Sequence, residues 1–136
     1  VQTFLPYQSC VKSASVLDMR RLGKQRVETL QILRCLVLGN SGWQHHPAVK
    51  MWKGYELFLS HYGCCICREW IKRGYQDTCL GKIKNTIRED DNWPPNWFGD
   101  DRLHSSHRSK LLNKNPVWYS QFGWTEKPDM NYFWPV

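Results

Sequence analysis

The stretch from Val16 to Leu38, VLDMRRLGKQRVETLQILRCLVL, constrains this chain more than any other. It holds no proline and its apolar residues recur every third or fourth position, which predicts one long amphipathic helix. Projected at about 100° per residue, Met19, Gly23, Val27, Leu30, Leu33 and Val37 gather on the side expected to pack. Leu17, Arg21, Lys24, Glu28, Gln31 and Cys35 gather on another. The polar side carries one carboxylate, Glu28, with Arg21 and Lys24 on the preceding turns and Gln31 on the following one. A lone acid in a basic field suits an anionic substrate. Lys24 and Glu28 also stand four apart, as in an ordinary exposed helix ion pair worth about 0.3 kcal/mol. Spacing alone leaves both readings open.

The charge balance narrows the partner. Nineteen Lys and Arg stand against 12 Asp and Glu, a formal net charge of +7, which favours a polyanion, and nucleic acid is the commonest one. The 8 Trp, 6 Tyr and 5 Phe exceed what a core of this size needs, so some rings are expected to serve as stacking surfaces. At 136 residues, positions 1–136 fit one domain with a continuous core. No apolar run approaches the ~20 residues that cross a bilayer and no secretory pattern opens the chain, so a soluble, cytoplasmic protein without a membrane partner is expected. Cys64, Cys65 and Cys67 crowd one predicted helix, where pairing geometry is poor, and the six cysteines are expected reduced and buried.

Taken in order, residues 1–12 lack helical period and contain Pro6, predicting an extended arm pinned by Phe4, Leu5 and Tyr7. Ser13 or Ser15 can cap the first helix, and Gly39 and Asn40 suit its left-handed stop. Residues 47–73 place Val49, Trp52, Tyr55, Leu59, Tyr62, Ile66 and Trp70 at helical spacing, predicting a central packing helix that Gly74 ends. Gly54 and Gly63 inside it suggest close helix approach. Asp77 or Thr78 can cap a shorter helix to about Arg88. The turn-rich REDDNWPPNWFGDD follows, then a helix from Asp100 that Asn115 and Pro116 end. The expectation is an all-α, compact single domain of about three main helices, with the extended arm and an irregular, aromatic C-terminal segment.

Glycine-rich phosphate loops and a GxSxG elbow are absent. Five histidines accompany the cysteines, yet no CxxC pair meets a second one, so no metal is expected. Basic residues cluster at Arg20, Arg21, Lys24 and Arg26, at Arg68, Lys72 and Arg73, and at Arg102, Arg108, Lys110 and Lys114. Such groups are usually solvated faces, but their alternation with aromatic segments makes phosphate contacts an expectation. His104 and His107 are expected to donate to phosphates, against the alternative of a solvated helix face.

LDMRRLGKQRVETLQIL resembles the first helix of the pyrimidine-dimer DNA glycosylase and AP lyase family. HPAVKMWKGYELFLSHYGCCICREWIKRGY and PPNWFGDDRLHSSHRSKLLNKNPVWYSQFGW match the same family in the same order, including the pair Trp118 and Tyr119. The likeness covers most of the chain and is greatest to a bacterial branch sharing the QTFLPY opening. It implies a catalytic carboxylate at Glu28 and, as nucleophile, the α-amine of the mature N-terminus, here Val1. Arg21 stands where phage members carry histidine, and Gln31 where they carry arginine, departures that bear on lesion choice.

The chemistry agrees with that resemblance. An α-amine titrates near about 8, against about 10.4 for lysine, so a useful fraction is nucleophilic near neutrality. Such an amine can attack the sugar C1′, expel the base and leave an imine, while Glu28 stabilises the positive sugar and moves the C2′ proton for β-elimination. The expected partner is double-stranded DNA with a lesion or abasic site, contacted by Arg20, Arg21, Lys24, Gln31, His104, His107, Arg108 and Lys110, with Trp118 and Tyr119 stacking on bases. Plain core packing is the competing role for those two rings. A monomer without cofactor is expected. A glycosylase for another base, or a DNA-binding module without the reaction, are the rival readings.

Overall fold

The computed structural model describes residues 1–39, 42–86 and 93–136. Seven α-helices and no strand occur among them: α1 (Cys10–Val16), α2 (Met19–Leu38), α3 (Pro47–Lys50), α4 (Glu56–Lys72), α5 (Cys79–Thr86), α6 (Asp101–Lys114) and α7 (Pro116–Tyr119). The all-α expectation holds in one compact domain, with more and shorter helices than the periodicity predicted. α2 lies at the centre, packed on α3, α4 and α5, while α1 packs on α4.

The predicted start of the long helix is corrected. Ser9, not Ser13 or Ser15, caps α1 by accepting from Lys12 N at 3.1 Å, so the arm ends at residue 9. Leu17 and Asp18 are extended, and α2 begins at Met19. Its end matches the expectation at Gly39, left-handed at φ 67°, whose N–H reaches Cys35 O. Asn40 lies outside the described residues.

The face of α2 that packs is also rotated from the expected one. Leu22, Gln25, Thr29, Ile32 and Leu33 are buried, whereas Met19 and Val27 stand 53% and 44% exposed. Two polar residues sit inside: the arm answers Gln25, as described below, whereas the buried Thr29 hydroxyl has no hydrogen-bond partner among the described residues. Where Thr29 passes α4 the helices nearly touch: a Cβ on Gly63 would lie 2.7 Å from Thr29 Cγ2 and 2.9 Å from Ile83 Cδ1 of α5. The close approach expected at Gly63 is real, and a larger residue there must push the helices apart.

The single helix expected over 47–73 is two helices. Gly54 takes φ 86°, open to glycine and strained for other residues, and the chain turns there before α4 begins. Trp52, fully buried in that turn, sets its ring edge-on to Trp97 at 4.9 Å. All six cysteines are free and buried, and burial pushes the Cys10 and Cys67 thiols up.

Asp77 caps α5 as expected, accepting from Leu80 N at 2.8 Å. Its other oxygen holds Arg26 at 2.6 Å, and that guanidinium lies 4.4 Å over the Trp70 ring. The predicted end near Arg88 and the first part of the turn-rich segment, residues 87–92, lie outside the described residues. α6 starts and stops where expected: Asp100 accepts from Arg102 N at 3.0 Å, and Asn115 and Pro116 follow Lys114. The tail beyond α7 is irregular but fastened, with Phe133 N donating to Ser106 Oγ and Met130 N to Ser109 Oγ.

Candidate active site

An extended segment cannot satisfy its own backbone, so residues 2–5 need partners wherever they are buried. Three helices supply them. Gln25 of α2 accepts from Phe4 N at 2.9 Å and donates to Gln2 O at 2.7 Å, pairing with the arm as a strand would. The Tyr62 hydroxyl of α4 lies 2.9 Å from Phe4 O and 2.6 Å from Gln25 Oε1, and Trp52 Nε1 donates to Thr3 Oγ1. From α6, His107 Nδ1 accepts from Leu5 N at 2.9 Å, and His104 Nδ1 donates to Leu5 O at 2.7 Å. These bonds set the tautomers: His104 carries its proton on Nδ1, since Nε2 accepts from Gly99 N, and His107 carries it on Nε2.

The same clamp aims the start of the chain at Glu28. Gln2 N donates to Glu28 Oε2 at 3.0 Å, and Gln25 Nε2 approaches that oxygen at 3.4 Å. Backbone dimensions then keep the Val1 nitrogen within about 7 Å of the carboxylate. Among the described residues no Lys or Arg stands within ion-pair distance of Glu28, so the ordinary Lys24–Glu28 pair is not formed.

Val1 and Glu28 open into one cleft of about 440 Å³. Arg20, Arg21 and Lys24 line one wall along α2, and Lys114 adds a fourth cation from the end of α6. Phe4, His46, Tyr132 and Trp134 line the rest. Arg21 is held by Asp18 at 3.3 Å, and Asp18 is itself fixed by Tyr119, whose hydroxyl accepts from Asp18 N and donates to Asp18 Oδ1. Arg20 and Lys24 are exposed and lie in none of the ion pairs found among the described residues. The arrangement offers a carboxylate beside the chain's first residue, under a rim of positive charge.

Several residues expected on DNA are elsewhere. His104 and His107 are 4% and 0% exposed, spent on the Leu5 backbone, and burial lowers both, His107 to about 3. Neither can reach a phosphate. Tyr119 is fully buried against Asp18 and stacked on Trp124 at 5.5 Å, so it braces Arg21 and does not stack on a base. Arg108 is bound to Glu126, Pro6 O and Asp101, tying the tail and arm to α6. Trp118 is 36% exposed, with Nε1 donating to Val16 O. Lys110 lies 5.2 Å from the Tyr132 ring centre, and Gln31 is exposed on α2 but does not line the cleft.

Sequence reasoning missed His46, Tyr132 and Trp134 as cleft residues, and placed Lys114 only in a basic cluster. Only the HP step before α3 could have pointed to His46: the imidazole caps that helix, Nδ1 accepting from Ala48 N at 3.0 Å.

An all-helical domain whose cleft gathers Val1, one carboxylate and four cations has the makings of a protein that works on a polyanion. The family model described as pyrimidine dimer DNA glycosylase matches residues 1–82, more than half of the 136. The chain belongs to that family, whose members are DNA glycosylases. Comparison with curated proteins and with solved structures finds no match. Among the described residues no three His, Cys, Asp or Glu side chains gather as a metal site, and no helix is long and apolar enough to cross a membrane.

Proposed function

We propose that this protein, as a chain beginning at Val1, is a bifunctional DNA glycosylase and AP lyase for damaged pyrimidines, the cyclobutane dimer being the first candidate. The observation that carries the reading is the Gln2 N to Glu28 Oε2 bond, which holds the first residue beside the cleft's carboxylate. The Val1 amine attacks C1′, the base leaves with the glycosidic electron pair, and an imine joins protein to sugar. Glu28 sits where a positive sugar would develop, and among the described residues its Oε1 accepts no hydrogen bond, so it can face C1′ and then take the C2′ proton. Loss of that proton breaks the C3′–O bond and cuts the strand.

The cationic wall supports the choice of substrate. Arg20, Arg21, Lys24 and Lys114 ring the entrance, where phosphates flanking an exposed sugar would lie. A monomer acting on double-stranded DNA is part of the proposal. The test is borohydride reduction of the protein with a duplex containing an abasic site, then a panel of lesion duplexes for base release. A covalent adduct is expected on the abasic site, and base release on one lesion class. DNA binding with no adduct would leave only a binding module.

A further inference from the structure

One cleft residue has no task in that reaction. His46 lies at the N-terminus of α3, and its ring borders the same space as Val1 and Glu28. Two contacts fix it. Nδ1 accepts from Ala48 N at 3.0 Å, and the ring meets Trp134 edge to face, 5.9 Å between centroids at 87°. With Nδ1 committed as acceptor, a neutral ring carries its proton on Nε2. Among the described residues Nε2 has no hydrogen-bond partner, although the residue is partly buried. Burial, and then the charge of the Val1 amine, lower this histidine from 6.5, so the neutral form prevails near pH 7. The molecule therefore holds a fixed, uncharged N–H donor on the amine side of the cleft, where the four cations are not needed to serve it.

Resting on the imine reading above, we propose that His46 is a further catalytic residue, whose Nε2–H donates a hydrogen bond to the sugar ring oxygen O4′ as the ring opens. Once the amine has added to C1′, the imine forms only when the C1′–O4′ bond breaks. Its electron pair goes to O4′, the nitrogen lone pair makes the C1′=N bond, and the proton the nitrogen gives up ends on O4′. His46 keeps its own proton throughout and stabilises the negative charge that grows on O4′. An uncharged donor suits this place, because a charged ring beside the iminium would add to the repulsion from the cations already lining the cleft. The tail contributes through Trp134, which holds the ring plane and lies outside the segment that the family model matches.

The test compares His46→Asn and His46→Gln with the unaltered protein on a duplex with one abasic site. Asparagine can accept from Ala48 N and so keep the helix cap. It lacks the ring that reaches O4′. The trapping rate of His46→Asn is expected to fall about 10²-fold, with duplex affinity within about twofold, since the donor acts as the transition state forms. His46→Gln, with a longer amide, is expected to recover part of the rate. His46→Asn trapping at the unaltered rate, or losing affinity in step with rate, overturns the assignment of His46 alone. No adduct with the unaltered protein overturns both this assignment and the imine reading.

Discussion

The clamp that forms a floor under residues 2–5 and the rim of the cleft are both built from polar side chains, but the fold uses them in opposite ways. On the floor Gln25, Tyr62, His104 and His107 are buried and each is committed to the backbone of residues 2–5. On the rim Arg20 and Lys24 are exposed, and Glu28 spends one oxygen and keeps the other. A buried polar group with fixed partners gives position, because any movement would leave it unsatisfied at about 1–3 kcal/mol. A charged group open to a cleft gives chemistry, because its hydrogen-bonding capacity remains to be used. His107 and His46 show the same division in one residue type. His107 is buried against Leu5, whereas His46 borders the cleft and its Nε2 has no hydrogen-bond partner among the described residues.

The sharpest way to break this division is at Glu28. Glu28→Gln keeps an oxygen to accept from Gln2 N while removing the charge, so duplex affinity should hold and strand cleavage should fall about 10³-fold or more. Cleavage near the unaltered rate would take Glu28 out of the chemistry. The floor should respond in the other currency, folding stability. Gln25→Ala leaves Phe4 N and Gln2 O without partners and is expected to cost about 2–4 kcal/mol in chemical denaturation. Activity should fall with it, since the clamp places Val1.

The acid response separates floor from rim by a different route. His107 is lowered by burial to about 3, so in acid the unfolded chain binds a proton that the folded chain refuses. Its contribution is fully present above 6.5 and is lost as pH falls from there toward 3. His104 is lowered in the same direction, also by burial. Denaturation midpoints should therefore decline through this window, and His107→Gln should flatten the decline. The smallest effect belongs to the rim. Lys24→Ala should leave stability unchanged, weaken duplex binding several-fold, and reduce the salt dependence by about one phosphate contact.

These contrasts also explain what could be read along the chain. α6 was legible because its signals are local: Asp100 caps it, and Asn115 and Pro116 stop it. Glu28 among Arg21 and Lys24 was legible because one helix carries all three. The burial of Gln25 was not, since helical spacing ranks glutamine as polar and its partners lie 21 and 23 residues away. His104 and His107 pair with Leu5 across 99 and 102 residues, and Tyr119 with Asp18 across 101, so no local pattern marks them as internal. The break at Gly54 was hidden by apolar spacing that continues on both sides, which both a turn and a helix can satisfy.

The central claim is that the clamp exists to present the first amine to a sugar beside Glu28. Borohydride trapping on an abasic-site duplex, run on the protein beginning at Val1 before and after selective N-terminal acetylation, tests it directly. The account predicts a covalent adduct that peptide mapping places on Val1 and that acetylation abolishes. An adduct mapped to a lysine, or one that survives acetylation, would contradict it.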